Sequence, residues 1–214
     1  MVVFDSTTER GSIPLSVRKF WDTRYELFSK FDQGIQVDEE SLYSVTPEVI
    51  AKDIASQFSN VSIVVDICSG VGGNAIQFAL LPNVVRVVCI EIDPLKVKML
   101  LNNARIYNVD HKIRPICGDA IEVLQNRDFH SADLVFTSTP WGGVSYKKRG
   151  EFKFNDICLG EYQGQKLVKF IQEQVNHKLI LFLPKTLEKV SGCKTVVARG
   201  PDHKIKANIL YFGF

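Results

Sequence analysis

The run Val61-Ser62-Ile63-Val64-Val65-Asp66-Ile67 leads directly into Cys68-Ser69-Gly70-Val71-Gly72-Gly73-Asn74. The first half is an almost continuous β-branched stretch, the pattern of a parallel strand covered on both faces. The second half is a glycine turn, where missing Cβ atoms permit tight turning and close approach of a ligand to the backbone. Residues 74–81 then read as a helix, whose N-terminus offers unpaired N–H groups to whatever the turn holds. Strand, glycine turn and helix in that order form the opening unit of an open α/β sheet. In such sheets ligands bind beyond the carboxyl ends of the strands.

The same alternation continues downstream. Strands are predicted at 85–92, 113–117, 132–137 and 179–183, with helices opened by Asp93-Pro94, at 119–124 and at 167–175. Two last strands, 195–198 and 205–212, are separated only by a turn around Gly200-Pro201-Asp202, and so short a connection forces antiparallel pairing. The predicted class is α/β: a mostly parallel, doubly wound sheet ending in an antiparallel hairpin, over residues 59–214. Residues 1–58 read as an arm and a helical N-terminal extension. Val17, Phe20, Trp21, Tyr25, Phe28 and Phe31 recur at helical spacing from Ser16 until Gly34 stops the pattern. Thr46-Pro47-Glu48 opens a second helix, with the threonine capping and the proline at the first helical position. The extension is too short to bury its own aromatic face and is expected to fold over the mouth above the strand ends.

Apolar residues make up 45% of the 214-residue chain and charged residues 23%, which excludes wholesale disorder. The net charge of +2 conceals a basic second half, with Lys147-Lys148-Arg149 and scattered lysines suited to a polyanion. Cys68, Cys89, Cys117, Cys158 and Cys193 form no CxxC pair and no zinc spacing, so no metal site is expected, and a reducing compartment is. No apolar run reaches the roughly 20 residues of a membrane span, and no signal peptide is visible. A soluble, intracellular protein without a membrane partner is expected.

Gly70, Gly72 and Asn74 would face a nucleotide-like cofactor. Glu91, ending the second strand, is placed to accept hydrogen bonds from ribose hydroxyls, and Asp119, after the third, to hold an adenine amino group. Gly70-x-Gly72-x-x-Ala75 with an acid about twenty residues on also fits a dinucleotide fingerprint. Asp66 tilts the choice: a carboxylate there would repel a pyrophosphate and suit the sulfonium of S-adenosylmethionine. After the fourth strand, Ser138-Thr139-Pro140-Trp141-Gly142-Gly143 suggests a pocket presenting an exocyclic amine. Carbonyls around Thr139-Pro140 and the Ser138 side chain would accept the amine hydrogens, while Trp141 stacks on the base. Acceleration would come mainly from orientation. His111, His130, His177 and His203 sit near predicted turns or element ends and read as surface residues, not as a general base.

Taken together, Lys19-Phe20-Trp21, Arg24-Tyr25-x-Leu27-Phe28-Ser29-Lys30-Phe31-Asp32-x-Gly34, Ser44-Val45-Thr46-Pro47-Glu48, the Asp66–Asn74 turn and Pro140-Trp141-Gly142-Gly143 resemble the catalytic domain of the trimethylguanosine synthase family. The likeness runs from about Arg18 over nearly the whole chain. It implies a Rossmann-like class I methyltransferase that uses S-adenosylmethionine to methylate N2 of a 7-methylguanosine RNA cap twice. By position, the resemblance assigns Trp141 to stack on the guanine, Phe28 to close the pocket, and Ser138 and Pro140 to place the amine. It assigns Lys19, Tyr146, Lys185 and Lys204 or Lys206 to the cap phosphates. Thr46, Asp66, Glu91 and Asp119 would line the cofactor site, aided by Ser44. It further implies capped small nuclear and nucleolar RNA as substrate, small ribonucleoprotein core proteins as partners, and the nucleus or nucleolus as location. The alternatives are an N2-guanine or N6-adenine methyltransferase of other RNA or DNA, a cap-binding module with lost catalysis, and a nicotinamide oxidoreductase. Three departures stand out. Thr139 occupies the place of a usual first proline, and Ile67-Cys68-Ser69 varies the approach to the glycine turn. Lys185 replaces an expected arginine, turning a bidentate phosphate grip into a point charge.

Overall fold

The computed structural model describes residues 2–143, 150–200 and 202–214. Its N-terminal segment holds α1 (Arg18–Trp21), α2 (Arg24–Leu27), α3 (Glu39–Ser44) and α4 (Glu48–Ser56). The series that follows is β1 (Ile63–Ile67), α5 (Gly73–Ala79), β2 (Arg86–Glu91), α6 (Pro94–Ile106), β3 (Ile113–Cys117), α7 (Ala120–Asn126) and β4 (Leu134–Thr137). Next come a small hairpin of β5 (Cys158–Leu159) and β6 (Tyr162–Gln163), then α8 (Gly164–Gln174), β7 (Leu179–Pro184), β8 (Lys194–Arg199) and β9 (Ile205–Phe212).

The main sheet has seven strands in the order β3-β2-β1-β4-β7-β9-β8. The first five run parallel, and β9 lies antiparallel between β7 and β8. Strand order reverses between β1 and β4, so a crevice is expected above their carboxyl ends. The doubly wound sheet with its antiparallel edge is therefore the fold that the residue pattern predicts. Among the described residues no helix is long and apolar enough to cross a membrane.

Side chains alternate across the sheet. Val64 faces one buried cluster together with α4, α5, α6 and the N-terminal aromatics, while Val65 and Ile67 face a second cluster with α7 and α8. The N-terminal segment shares the first cluster: Trp21, Phe31 and Ile35 pack into it beside Ile76 and Phe78.

The expected single helix from Ser16 is instead two one-turn pieces. Arg18–Trp21 and Arg24–Leu27 are separated at Asp22-Thr23, where the Thr23 hydroxyl donates to the Phe20 carbonyl at 3.2 Å. One-turn helices have no stability of their own. These are held by burial of Trp21 and Phe31, whose rings meet edge to face at 5.4 Å, and by the Arg24 guanidinium 4.6 Å from the Trp21 ring. Burial contributes about 1.5–3 kcal/mol per large apolar side chain, more than the lost helix continuity costs.

Thr46 does not cap α4. Pro47 is the N-cap residue, and its carbonyl accepts from Ile50 and Ala51. Asp93 and Asp119 do cap, accepting from Leu95 and from Ile121 and Glu122.

Candidate active site

Above the carboxyl ends of β1, β2 and β4 lies a cleft of about 470 Å³. One wall is the glycine turn. Gly70 and Gly72 sit at φ +55° and +96°, in the left-handed region that favours glycine. Cys68 shares that region at φ +61° and lines the cleft. Burial, reinforced by Glu91 and Asp66, pushes its thiol up to about 12. Cys68 is thus a neutral thiol at physiological pH and no nucleophile.

Glu91, at the end of β2, anchors this wall. Its carboxylate accepts from the Gly70 amide at 2.8 Å and the Asp93 amide at 3.0 Å. Both oxygens are thereby oriented, and each keeps a lone pair for a ligand hydroxyl. Asp119 lies across the cleft mouth, with Oδ1 engaged in capping α7.

The opposite wall is the N-terminal segment. Phe20, Tyr43, Ser44, Val45 and Thr46 line it. Two polar ties fix this wall to the glycine turn. Thr46 Oγ1 accepts from Asn74 Nδ2 at 3.0 Å. Asn103, fully buried on α6, donates to the carbonyls of Gln36 (2.9 Å) and Val71 (3.0 Å) and accepts from the Gln36 amide (2.8 Å). A third tie is ionic: Lys96 meets Glu40 at 2.5 Å and stands 3.9 Å from Asp38. The contact is close enough that a Cβ on Gly73 would lie 2.8 Å from Val45 Cγ1.

The third side carries Ser138, Thr139, Pro140 and Trp141. The indole stacks on Phe182 of β7 at 5.7 Å, and its Nε1 donates to the Phe182 carbonyl at 3.2 Å. These contacts orient the half-buried ring at the cleft edge.

Thr46, Gly70, Asn74, Glu91, Asp119, Ser138, Pro140 and Trp141 thus meet in one cleft. Other predicted residues do not line it. Gly72 lies beneath the turn, against Leu100 and Ile76. Phe28 is a core residue, 1% exposed and packed against the Tyr107 ring, and Phe20 and Tyr43 occupy the wall expected of it. Lys185 and Lys204 are exposed outside the cleft, and Lys204 and Lys206 pair with Asp202. Lys19 reaches the site only through Phe20, its ammonium 5.0 Å from that ring. Tyr146 lies outside the described residues.

Asp66 also falls outside the cleft. It is 1% exposed on β1, and Oδ2 has no hydrogen-bond partner among the described residues. Burial, then the Glu91 charge, raises its carboxyl well above the usual carboxylate range. The expectation that an ionised Asp66 selects a cationic ligand is corrected accordingly. Among the described residues, the charged side chains lining the cleft are Glu40, Glu91, Asp93 and Asp119, together with Lys96, which pairs with Glu40. Such a lining repels a pyrophosphate and favours a sulfonium.

The raised Asp66 value has a stability consequence. The folded state holds this proton more tightly than the unfolded chain, so stability is complete at low pH and is lost as pH rises above the ordinary carboxylate range. Asp66→Asn is expected to melt higher than the parent protein at neutral and alkaline pH, with the gap closing toward about pH 4. Melting temperatures across that range check this, and a constant gap would contradict it.

Sequence reasoning missed Phe20 as a wall residue, Tyr43, Lys96 and Asn103. Asn103 had a visible signal: it sits with Met99, Leu100 and Ala104 on the buried face of α6. A polar side chain on such a stripe must satisfy its groups internally.

The model of the RNA cap guanine-N2 methyltransferase family matches residues 61–212. The chain is 36% identical over 210 residues to trimethylguanosine synthase of Schizosaccharomyces pombe, covering 94% of this chain and 84% of that protein. It is 31% identical to trimethylguanosine synthase of Saccharomyces cerevisiae, covering 90% of this chain and 62% of that one. Among solved structures, an RNA methyltransferase from Salinibacter ruber in complex with S-adenosyl-L-homocysteine superposes with a TM-score of 0.52. At 21% identity, covering 78% of this chain and 91% of that one, the likeness establishes a shared Rossmann-like methyltransferase fold. With its sheet, its glycine-walled cleft and this match across most of its length, the chain belongs to the RNA cap guanine-N2 methyltransferase family.

Proposed function

We propose that the cleft holds S-adenosylmethionine against the glycine turn, Glu91 and Asp119, with a 7-methylguanosine cap beside Trp141, and that N2 is methylated twice to give 2,2,7-trimethylguanosine. The observation that carries this reading is the convergence of Trp141, Ser138 and the glycine turn on a single acid-lined cleft. The residues fit the cofactor: Asn74 Oδ1 is a buried acceptor without a partner among the described residues, and Gly70 has open space where a Cβ would stand. When bound, the cofactor supplies an electrophilic methyl on a sulfonium that departs as a neutral thioether.

The work of the chain is orientation. The exocyclic amine of guanine is a weak nucleophile because its lone pair is delocalised into the ring. Ser138 and the carbonyls around Pro140 accept its hydrogens and turn the lone pair toward the methyl carbon. On taking up the methyl the amine nitrogen would become cationic and would give its proton to solvent, while Ser138 and the carbonyls around Pro140 hold it in place. Methylation at N7 acidifies the purine and eases that loss, so no strong base is needed.

The 7-methyl group also makes the base a cation, which adds about 0.5–2 kcal/mol to stacking on Trp141. A 7-methylated cap dinucleotide is therefore expected to be methylated with about a two- to thirtyfold higher kcat/KM than its unmethylated counterpart, since about 1.4 kcal/mol is a factor of ten. Equal rates on both would argue for a guanine methyltransferase indifferent to the cap. The 1–58 segment serves in this reading as the wall that closes over the site. Lys19, Lys185, Lys204, Lys206 and Tyr146 are assigned to the phosphates by family resemblance. The same resemblance supports capped small nuclear and nucleolar RNAs as substrates, small ribonucleoprotein core proteins as partners, and a nuclear or nucleolar location.

A further inference from the structure

A second groove, of about 380 Å³, lies on the sheet face at the opposite end of the strands from the cleft. The registers Ile63↔Arg86 and Val88↔Arg114 place these side chains on one face of β1, β2 and β3. Farther along, α7 and α8 cover that face. Here α7 has already ended at Asn126, leaving Ile63, Val88 and Ile116 half-buried as an aliphatic floor. Arg86, Arg114 and Arg127 stand around the floor, and the only acid in the lining is Asp128. Arg114 donates from Nη1 to the His111 and Ile113 carbonyls. Arg86 and Arg127 are exposed and form no ion pair among the described residues.

A partner for this groove must offer both aliphatic side chains and negative charge. Single-stranded RNA offers the charge, but it is gripped by stacking its bases on exposed aromatic rings. Among the described residues, the one aromatic side chain in this lining, Phe129, is itself buried. A strand added to the β3 edge would meet Pro115, which has no N–H to give. An acidic amphipathic helix meets both demands, with its apolar stripe on the floor and its flanking carboxylates against the arginines. We infer that this groove docks an acidic amphipathic helix of a partner protein, on a surface separate from the methyl-transfer cleft.

The test uses the full chain and a fluorescein-labelled peptide of about 18 residues with leucines at helical i, i+3, i+4, i+7 spacing and glutamates flanking them. A saturable rise in anisotropy that weakens with salt is expected. Arg86→Glu combined with Arg127→Glu should lower the affinity about tenfold or more, and replacing the leucines by serine should abolish binding. Methyl transfer to a cap dinucleotide should be unchanged, because neither arginine lies in the cleft. If the double variant fails to fold, Arg127→Ala alone, in an exposed segment, should still weaken binding several-fold. The inference is overturned by absence of saturable binding or by affinity indifferent to the arginines. It is equally overturned if a short single-stranded RNA takes the groove in an arginine-dependent manner and the peptide does not. Self-association of the chain, seen by sedimentation and lost in the variant, would also overturn it by making a second copy the occupant.

Discussion

Trp141→Ala is expected to raise the Kd for a 7-methylguanosine cap by about a hundredfold while leaving the Kd for S-adenosylhomocysteine nearly unchanged. Stacking of a base on an aromatic side chain is worth about 1–3 kcal/mol, and the cationic purine adds about 0.5–2 kcal/mol. The indole is also held by Phe182, through ring stacking and the Nε1 hydrogen bond. Truncation therefore costs some stability as well, and a lower melting temperature is expected. Trp141→Phe separates the two effects, since a phenyl ring can stack without the hydrogen bond and should recover much of the cap affinity. Calorimetry with each ligand reads both constants. Equal loss of cap and cofactor binding in Trp141→Ala would make the indole a structural prop.

Glu91→Ala is expected to do the reverse. The carboxylate fixes the Gly70 and Asp93 amides, and hydrogen bonds to a charged group are worth about 1.5–3 kcal/mol each. Loss of the carboxylate frees the glycine turn and removes the acceptor proposed for the ribose hydroxyls. The Kd for S-adenosylhomocysteine should rise about 100- to 1000-fold, with cap affinity changed little. Glu91→Gln, which keeps the shape and one acceptor oxygen, should fall in between. An unchanged cofactor constant in Glu91→Ala would remove Glu91 from the site.

The contrast between Glu91 and Asp66 marks how far the residue pattern reaches. Both acids end up near the glycine turn, and the pattern offers no means of telling which one lines the cleft. The deciding fact is position along the strand, since register puts both acids on one face while Asp66 pairs with Cys89, two residues before Glu91. Asp66 points between sheet and helices, where burial favours its neutral form, whereas Glu91 ends its strand beneath the Gly70 amide. Residues at or just past strand ends at the cleft, such as Glu91 and Ser138, were legible because the topology sends every parallel strand end to the same rim.

The N-terminal segment was harder to read. Its aromatic spacing correctly marked a buried face but not the break at Asp22-Thr23, nor that Phe28 turns inward while Phe20 meets the cleft. Those outcomes depend on tertiary packing against Tyr107, Phe31 and Tyr43, which no local period encodes. Helix α3 carried a usable sign, Asp38 capping the Ser41 amide at 2.7 Å, and was still overlooked. The β5–β6 hairpin, with two residues in each strand, is too short to leave a periodic trace. Asn103 shows a different limit. Its hydrogen bonds to Gln36 and Val71 join segments separated by 32 to 67 residues, so its role appears only once the chain is folded.

Orientation of a guanine amine toward a sulfonium methyl is the central claim, and product analysis tests it most directly. The protein would be incubated with S-adenosylmethionine and a 7-methylated cap dinucleotide, and the digest read by mass spectrometry with fragmentation to locate each added methyl. Stepwise gain of two methyl groups, both on N2 of the 7-methylguanine, is the result these residues predict. Methyl groups found on another atom, or an unmodified dinucleotide although cofactor and cap both bind, would contradict it.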